Sequence, residues 1–533
     1  MKKKIVIIIS ILAMTILATV ISGACVWQPP NQPNDGRSAF EIWLEAGHEG
    51  TYEDFLEWLR RPPTTPQSFI LSFENTSLAP VTAPQGTLIW QPSDPARALY
   101  RFEGWYKDTN FAINATFPFM LNYDTTLYAR WTAAANYDFF VIDINNQLIS
   151  LTELGREQST LLIPASVTII GHDAFNSATL TTVTFEEDSQ LTIIGSHAFF
   201  GATNLTSITI PASLTWISGG AFANTSSLSA INIESGNIHF ATIDGVLYNI
   251  DITTLVAAPG GISVVNIPAS VIRIGNLAFE GATSLTTVTF EEGSQLTSIE
   301  DFAFSYVTSL VGITIPASVL SIGRNAFHFS TNLTTVIFEE GSQLENIGDW
   351  AFSWTTSLTE ITIPASVTII GSWAFYHAAS LTTITFEEGS QLTSIGSSAF
   401  RNAISLTDIA IPASVRYIGE SAFMGAISLT TVTFEEDSQL RAIESETFWG
   451  ATSLTSINIP NLVFQIGDDA FRGATSLTRI SISYSVILIG ARAFWMWTTD
   501  QTIYIHGRAE ADSRWHANWL AGSNANVVFF WLG

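Results

Sequence analysis

The sequence predicts a mainly β leucine-and-phenylalanine solenoid, one long parallel sheet of stacked coils, preceded by a small β module and a short helical pair. Three observations carry this. Ala-Phe pairs recur, with phenylalanines at Phe175, Phe199, Phe222, Phe279, Phe304, Phe327, Phe352, Phe375, Phe400, Phe423, Phe471 and Phe494, and Thr447-Phe448 fills the gap in the later series. Their spacing alternates between 23 and 25 residues, so two coils make a 48-residue super-repeat, visible again in Pro268, Pro316, Pro364, Pro412 and Pro460. A period of this length marks units that bury their apolar face only against neighbours. The chain is 47% hydrophobic and 13% charged and rich in Thr, Ser, Ile and Phe, a mixture that favours strands over helices or disorder.

The elements follow in chain order. Met1-Lys2-Lys3-Lys4 is a positive n-region, and the apolar run Ile5 to Ile21 ends in Ser22-Gly23-Ala24 before Cys25, which reads residues 1–24 as an export signal. The segment resembles a bacterial lipoprotein signal, although Ser22 stands where a Leu-like residue is usual. That resemblance implies lipid attachment at Cys25; simple cleavage and a retained helix are the alternatives. All three place the remainder outside the cell, with any membrane contact made through the N-terminus. Pro29, Pro30 and Pro33 make residues 25–36 an extended spacer.

In residues 37–62, Ser38-Ala39-Phe40-Glu41 and Thr51-Tyr52-Glu53-Asp54 each pair a capping hydroxyl with an acid three positions later. Two short helices are expected, sharing Phe40, Trp43, Leu44, Phe55, Trp58 and Leu59 as their apolar face. From 68 to 132 the chain alternates like strands, as in Phe69-Ile70-Leu71-Ser72-Phe73. Phe102-Glu103-Gly104-Trp105-Tyr106 and Thr126-Leu127-Tyr128-Ala129-Arg130-Trp131 resemble the two signature stretches of the Listeria/Bacteroides repeat, a β-grasp-like module of bacterial surface proteins. Its usual glycine-rich hairpin is replaced here by Asn75-Thr76-Ser77.

The solenoid is expected over 137–500, with 501–533 as a C-terminal cap. In Leu180-Thr181-Thr182-Val183-Thr184-Phe185, alternation turns Leu180, Val183 and Phe185 inward and leaves Thr182 and Thr184 outside. The chain then turns through Glu186-Glu187-Asp188 or a Pro-Ala-Ser turn such as Pro211-Ala212-Ser213. It bends at Ile-Gly, as in Ile194-Gly195, and buries the Ala-Phe ring. The recurring Ile-Pro-Ala-Ser-Val, Ile-Gly and Ala-Phe runs resemble the BspA-like leucine-rich repeats. Residues 239–268 break the period, but Asp244-Gly245-Val246-Leu247-Tyr248 resembles a variant coil of the same family. The resemblance implies a non-enzymatic bacterial surface protein that binds or adheres to host, matrix or neighbouring-cell components, with a structural envelope component as the alternative.

Charge and motif content narrow the function further. A net charge of −26 disfavours nucleic acid, which needs a basic stripe, and one cysteine excludes an internal disulfide. Neither a zinc-type histidine pair nor a phosphate loop nor a Gly-x-Ser-x-Gly elbow is present, so neither catalytic residues, metal nor cofactor are expected. The repeated Glu-Glu pairs, such as Glu291-Glu292 and Glu339-Glu340, read as solvated turns, and the Thr182/Thr184-type ladder as ordinary exposed strand residues. Variation inside the repeat is more informative. Around Ala-Phe, four successive coils carry Phe302, Tyr306, His328, Phe329, Trp350, Trp354, Trp373, Tyr376 and His377 where other coils are mostly small or polar. Stacking the coils aligns these nine as a candidate patch for an extracellular protein or glycan. Inward packing of the rings under the turns is the competing expectation.

Overall fold

The computed structural model describes Leu44 and residues 49–60, 68–93, 95, 100–133 and 136–530. The export signal, Cys25, the spacer and most of the first expected helix lie outside the described residues. Among the described residues no helix is long and apolar enough to cross a membrane. The chain divides near Thr132 into two compact units.

In the first unit, α1 (Tyr52–Arg60) begins at a reciprocal cap. Asp54 Oδ2 accepts from the Thr51 backbone N–H at 2.6 Å, and Thr51 Oγ1 accepts from the Asp54 N–H at 3.4 Å. These bonds hold the Asp54 carboxyl below its ordinary pKa. Six strands follow: β1 (Ser68–Glu74), β2 (Val81–Pro84), β3 (Thr87–Ile89), β4 (Tyr100–Tyr106), β5 (Phe119–Leu121) and β6 (Thr125–Ala133). The main sheet runs β2-β1-β6-β4 with β1 and β6 parallel, and β3 pairs antiparallel with β5. Its signature residues make its core: Phe102 lies 5.4 Å from the Trp105 ring and 5.5 Å from Trp131, over buried Leu71, Leu121 and Leu127. Asn75 supplies the left-handed turn, φ 63°, in the place where glycine was missing.

In the second unit a hairpin (Phe140–Ile142 with Gln147–Leu151) and a short helix capped by Thr152 close the N-terminal end. Each coil then adds a four-residue strand, such as Thr335–Phe338, to a parallel ladder with inward Val or Ile and outward Thr. A second parallel ladder, of two-residue strands such as Asn346–Ile347, runs alongside it. Between the ladders the Ala-Phe rings form a buried stack, nearly parallel, at 4.7 to 5.8 Å between neighbours from Phe279 to Phe494.

Side chains that looked merely solvated in sequence tie coil to coil. The first glutamate of each pair accepts from a backbone N–H of the preceding Pro-Ala-Ser turn, as Glu339 Oε2 from Ala317 at 3.0 Å and Glu387 from Ala365 at 3.0 Å. Thr382 donates to the Thr359 carbonyl at 2.9 Å, and Thr430 to Thr407 at 2.9 Å. The Ile-Gly glycine corrects the expectation of a tight bend. Gly371 is not left-handed; a Cβ there would sit 2.5 Å from the Asp349 nitrogen, so glycine is required by close approach of the preceding coil.

The variant coil replaces its arc with a hairpin, Phe240–Ile243 against Val246–Asn249, turning through Asp244-Gly245 at φ 50° and 78°. Thr254–Ala257 then rejoins the short ladder. No Ala-Phe arc is contributed, so the arcs on either side meet directly: the Asn224 N–H donates to the Glu280 carbonyl at 3.1 Å. The core divides into two apolar clusters at this seam.

Candidate functional site along the aromatic edge

Every Ala-Phe arc places two residues in the left-handed region, two before and two after the buried phenylalanine. The later position is Gly201, Asn224, Gly281, Asn402, Gly425, Gly450 or Gly473 in other coils, residues that tolerate this backbone. In four successive coils it holds Tyr306, Phe329, Trp354 and His377, at φ 57° to 60°. Trp350 and Trp373 stand in the earlier position at 60° and 61°. For bulky side chains this conformation costs about 1 kcal/mol or more each, strain that points toward use of the rings.

Stacking the arcs converts these positions into rows. Tyr306, Phe329, Trp354 and His377 form a ladder of nearly parallel rings at 5.1, 5.1 and 4.3 Å. Trp350 and Trp373 form a second ladder at 4.8 Å. His328 and Tyr376 come from the position between the rows and meet both edge-on, with Tyr376 5.7 Å from Trp350 and 6.1 Å from Trp354. Eight of the nine candidate residues are thus in one contiguous cluster. Phe302 is not brought into ring contact with it, because Asn325 occupies the next rung of its row. The rings are neither buried nor free: Tyr306 is 42% exposed and the other eight are half-buried.

Two further residues complete the edge and escaped the sequence reading because they are not aromatic. The Arg401 guanidinium lies 5.6 Å over Trp373, and the Asn402 amide is 2.9 Å from His377 Nε2. Their signal was their place in the same two rows. Burial lowers the pKa of His328 and His377, with Arg401 adding to the effect on His377, which favours neutral rings. Ser305 Oγ, His328 Nδ1 and Ser353 Oγ, successive rungs beneath the rings, are buried without a hydrogen-bond partner. No described protein group accepts from the indole N–H groups of Trp350, Trp354 and Trp373.

The rows carry two other clusters. Nearer the C-terminus Arg472 is sandwiched between Trp449 at 4.4 Å and Trp495 at 5.1 Å, and Asp469 pairs with Arg472 and Arg492. At the seam, His197 Nε2 lies 3.8 Å from Glu280 Oε2, a pairing visible only once the variant coil drops out of the arc. Burial raises Glu280 to about 7 and lowers His197, so both groups are displaced toward neutrality. Among the described residues no three His, Cys, Asp or Glu side chains converge on a metal position.

The family model of the BspA type leucine rich repeat region (6 copies) matches residues 155–260, 261–381, 338–439 and 393–510, and that of the Listeria-Bacteroides repeat domain matches 71–130. Among solved structures, the chain is similar to a leucine-rich repeat protein from Eubacterium ventriosum at 23% identity, over 60% of this chain and 77% of that one, TM-score 0.39. A leucine rich cell surface protein from Faecalibacterium prausnitzii is similar at 26% identity, over 67% and 90%, TM-score 0.38. A leucine-rich repeat protein from Bacteroides ovatus is similar at 22% identity, over 73% and 97%, TM-score 0.41. No curated protein matches the chain.

Proposed function

The chain belongs to the BspA-type leucine-rich-repeat family, and from that premise we propose that it is a non-enzymatic bacterial cell-surface protein that binds a protein partner through the aromatic edge around Trp354. The observation that carries this reading is one contiguous, half-exposed ring cluster held in left-handed backbone where neighbouring coils use glycine or asparagine. Trp, Tyr and Arg in a partly desolvated cluster are the residue types that dominate protein-binding energy.

A protein fits this edge better than a glycan. Sugar rings stack on open aromatic faces, whereas here the ladder faces are largely spent on one another and edges and N–H groups are turned outward. Residues 276–405 carry twelve Asp and Glu against Arg324 and Arg401, so the complementary partner surface is cationic. The partner is a host, matrix or neighbouring-cell component, and the chain reaches it from the outer face of the membrane, tethered at Cys25 by lipid or by a retained helix.

Immobilised protein from Trp27 onward, exposed to panels of matrix proteins, cell-wall material and glycans, tests this. Trp354→Gly preserves the fold because glycine fills the same turn at Gly281 and Gly425; Tyr376→Ser is its companion. Each is expected to weaken protein binding about tenfold or more with the melting profile intact. Binding that ignores both variants sinks the proposal and favours an envelope component without a specific ligand.

A further inference from the structure

We propose that the C-terminal end of the solenoid is a self-association surface, pairing the strand Asn526–Phe530 antiparallel with the same strand of a second copy. This strand is the last of a three-stranded sheet: it pairs in parallel with Thr502–His506, which pairs with Arg479–Ile482. Among the described residues nothing pairs with its other edge. Asn-Val-Val-Phe-Phe carries neither charge nor proline, the usual devices that keep an edge from pairing.

The core is also incomplete there. Inward residues of the two preceding strands are sealed, with Ile480, Ile482, Ile503 and Ile505 at most 1% exposed, whereas Val527 and Phe529 remain half-buried. On the outer face Phe530 is 45% exposed. The other end of the unit differs: there a hairpin and a capped helix close over buried Phe139 and Phe140. Solenoids need polar terminal caps to stay apart, and only one end has that character.

A second copy is the occupant that charge and parity favour. Two chains of net charge −26 repel over most of their surfaces, but from Arg472 onward there are five arginines against Asp500, Glu510 and Asp512, so repulsion is least at this end. A two-fold axis through Val528 sets Asn526 opposite Phe530 and Val527 opposite Phe529 of the other copy. Inward residues then meet inward residues, and each copy covers the half-buried core positions of the other.

The full-length chain carrying Val528→Cys tests the geometry, because residues directly opposite in an antiparallel pair have Cα atoms about 4.5–5.5 Å apart, within disulfide reach. Mild oxidation is expected to give a 528–528 linked peptide, identified by mass spectrometry and distinct from any link through Cys25. Thr184→Cys, on an early coil, serves as the background control. Sedimentation equilibrium of the wild-type chain is expected to show twice the monomer mass at tens of micromolar, and Val528→Lys to return it to one. A 528–528 link no more abundant than the control, or a monomer throughout that range, overturns the proposal.

Discussion

Glu280→Gln is expected to stabilise the solenoid above neutral pH and to leave it unchanged near pH 4. The Glu280 side chain is 12% exposed at the seam between the two apolar clusters, and its Oε2 has no hydrogen-bond partner. Its pKa rises from 4.5 to about 7 because burial penalises the charge. Below pH 4.5 the carboxyl is protonated in both folded and unfolded chains and has no effect. Between 4.5 and 7 the unfolded chain releases the proton first, so each pH unit costs about 1.4 kcal/mol of stability. Above 7 the loss levels off at about 3 kcal/mol, the size expected for a buried carboxylate without a full complement of bonds. His197 acts in the opposite direction: with its pKa lowered by burial, it is destabilising below its unfolded value and silent above. Denaturant unfolding of wild type and Glu280→Gln at pH 4, 6 and 8 separates these effects. The glutamine variant is expected to gain most at pH 8. If it is instead less stable than wild type there, the 3.8 Å approach to His197 works as an ion pair and the reasoning from burial is wrong.

Other consequences are shorter to state. Phe352→Ala removes a ring from the buried stack and is expected to cost about 3–5 kcal/mol in denaturant unfolding. Trp354→Gly exchanges lost ring contacts for relief of a left-handed tryptophan, so its stability change is expected to stay below about 2 kcal/mol by the same measurement. Gly371→Ala drives a methyl group into the backbone of the preceding coil and is expected to cost about 1–3 kcal/mol or to lower soluble yield, which differential scanning calorimetry and expression level check. Glu339→Ala removes the acceptor of the Ala317 N–H and is expected to cost about 1 kcal/mol, seen as a lower denaturant midpoint, whereas Glu340→Ala is expected to be silent.

The repeat was legible because the same small set of residues must solve the same packing problem in every coil. Phe304, Phe327 and Phe352 recur at a fixed period since each ring needs the previous one to be buried, and period is a one-dimensional property. Alternation likewise assigned Thr182 and Val183 to opposite faces. The module around Phe102, Trp105 and Trp131 was legible for a related reason: its core is made of its most recognisable residues. The candidate edge was legible only as composition, nine rings near one repeat position.

What tertiary structure alone decided is how neighbours in space, 23 or 25 residues apart, use each other. It made Gly371 a matter of close approach rather than of φ, and gave the first glutamate of each pair a backbone partner in the preceding turn. It set Tyr306, Phe329, Trp354 and His377 face to face, left Phe302 apart, and added Arg401 and Asn402 at the margin. It also brought Glu280 beside His197, 83 residues earlier, because a variant coil contributes strands but no arc. The physical reason is the same throughout. Period and alternation fix which side chains face inward, whereas contacts between coils depend on the register of one coil upon the next, and only the folded stack specifies it.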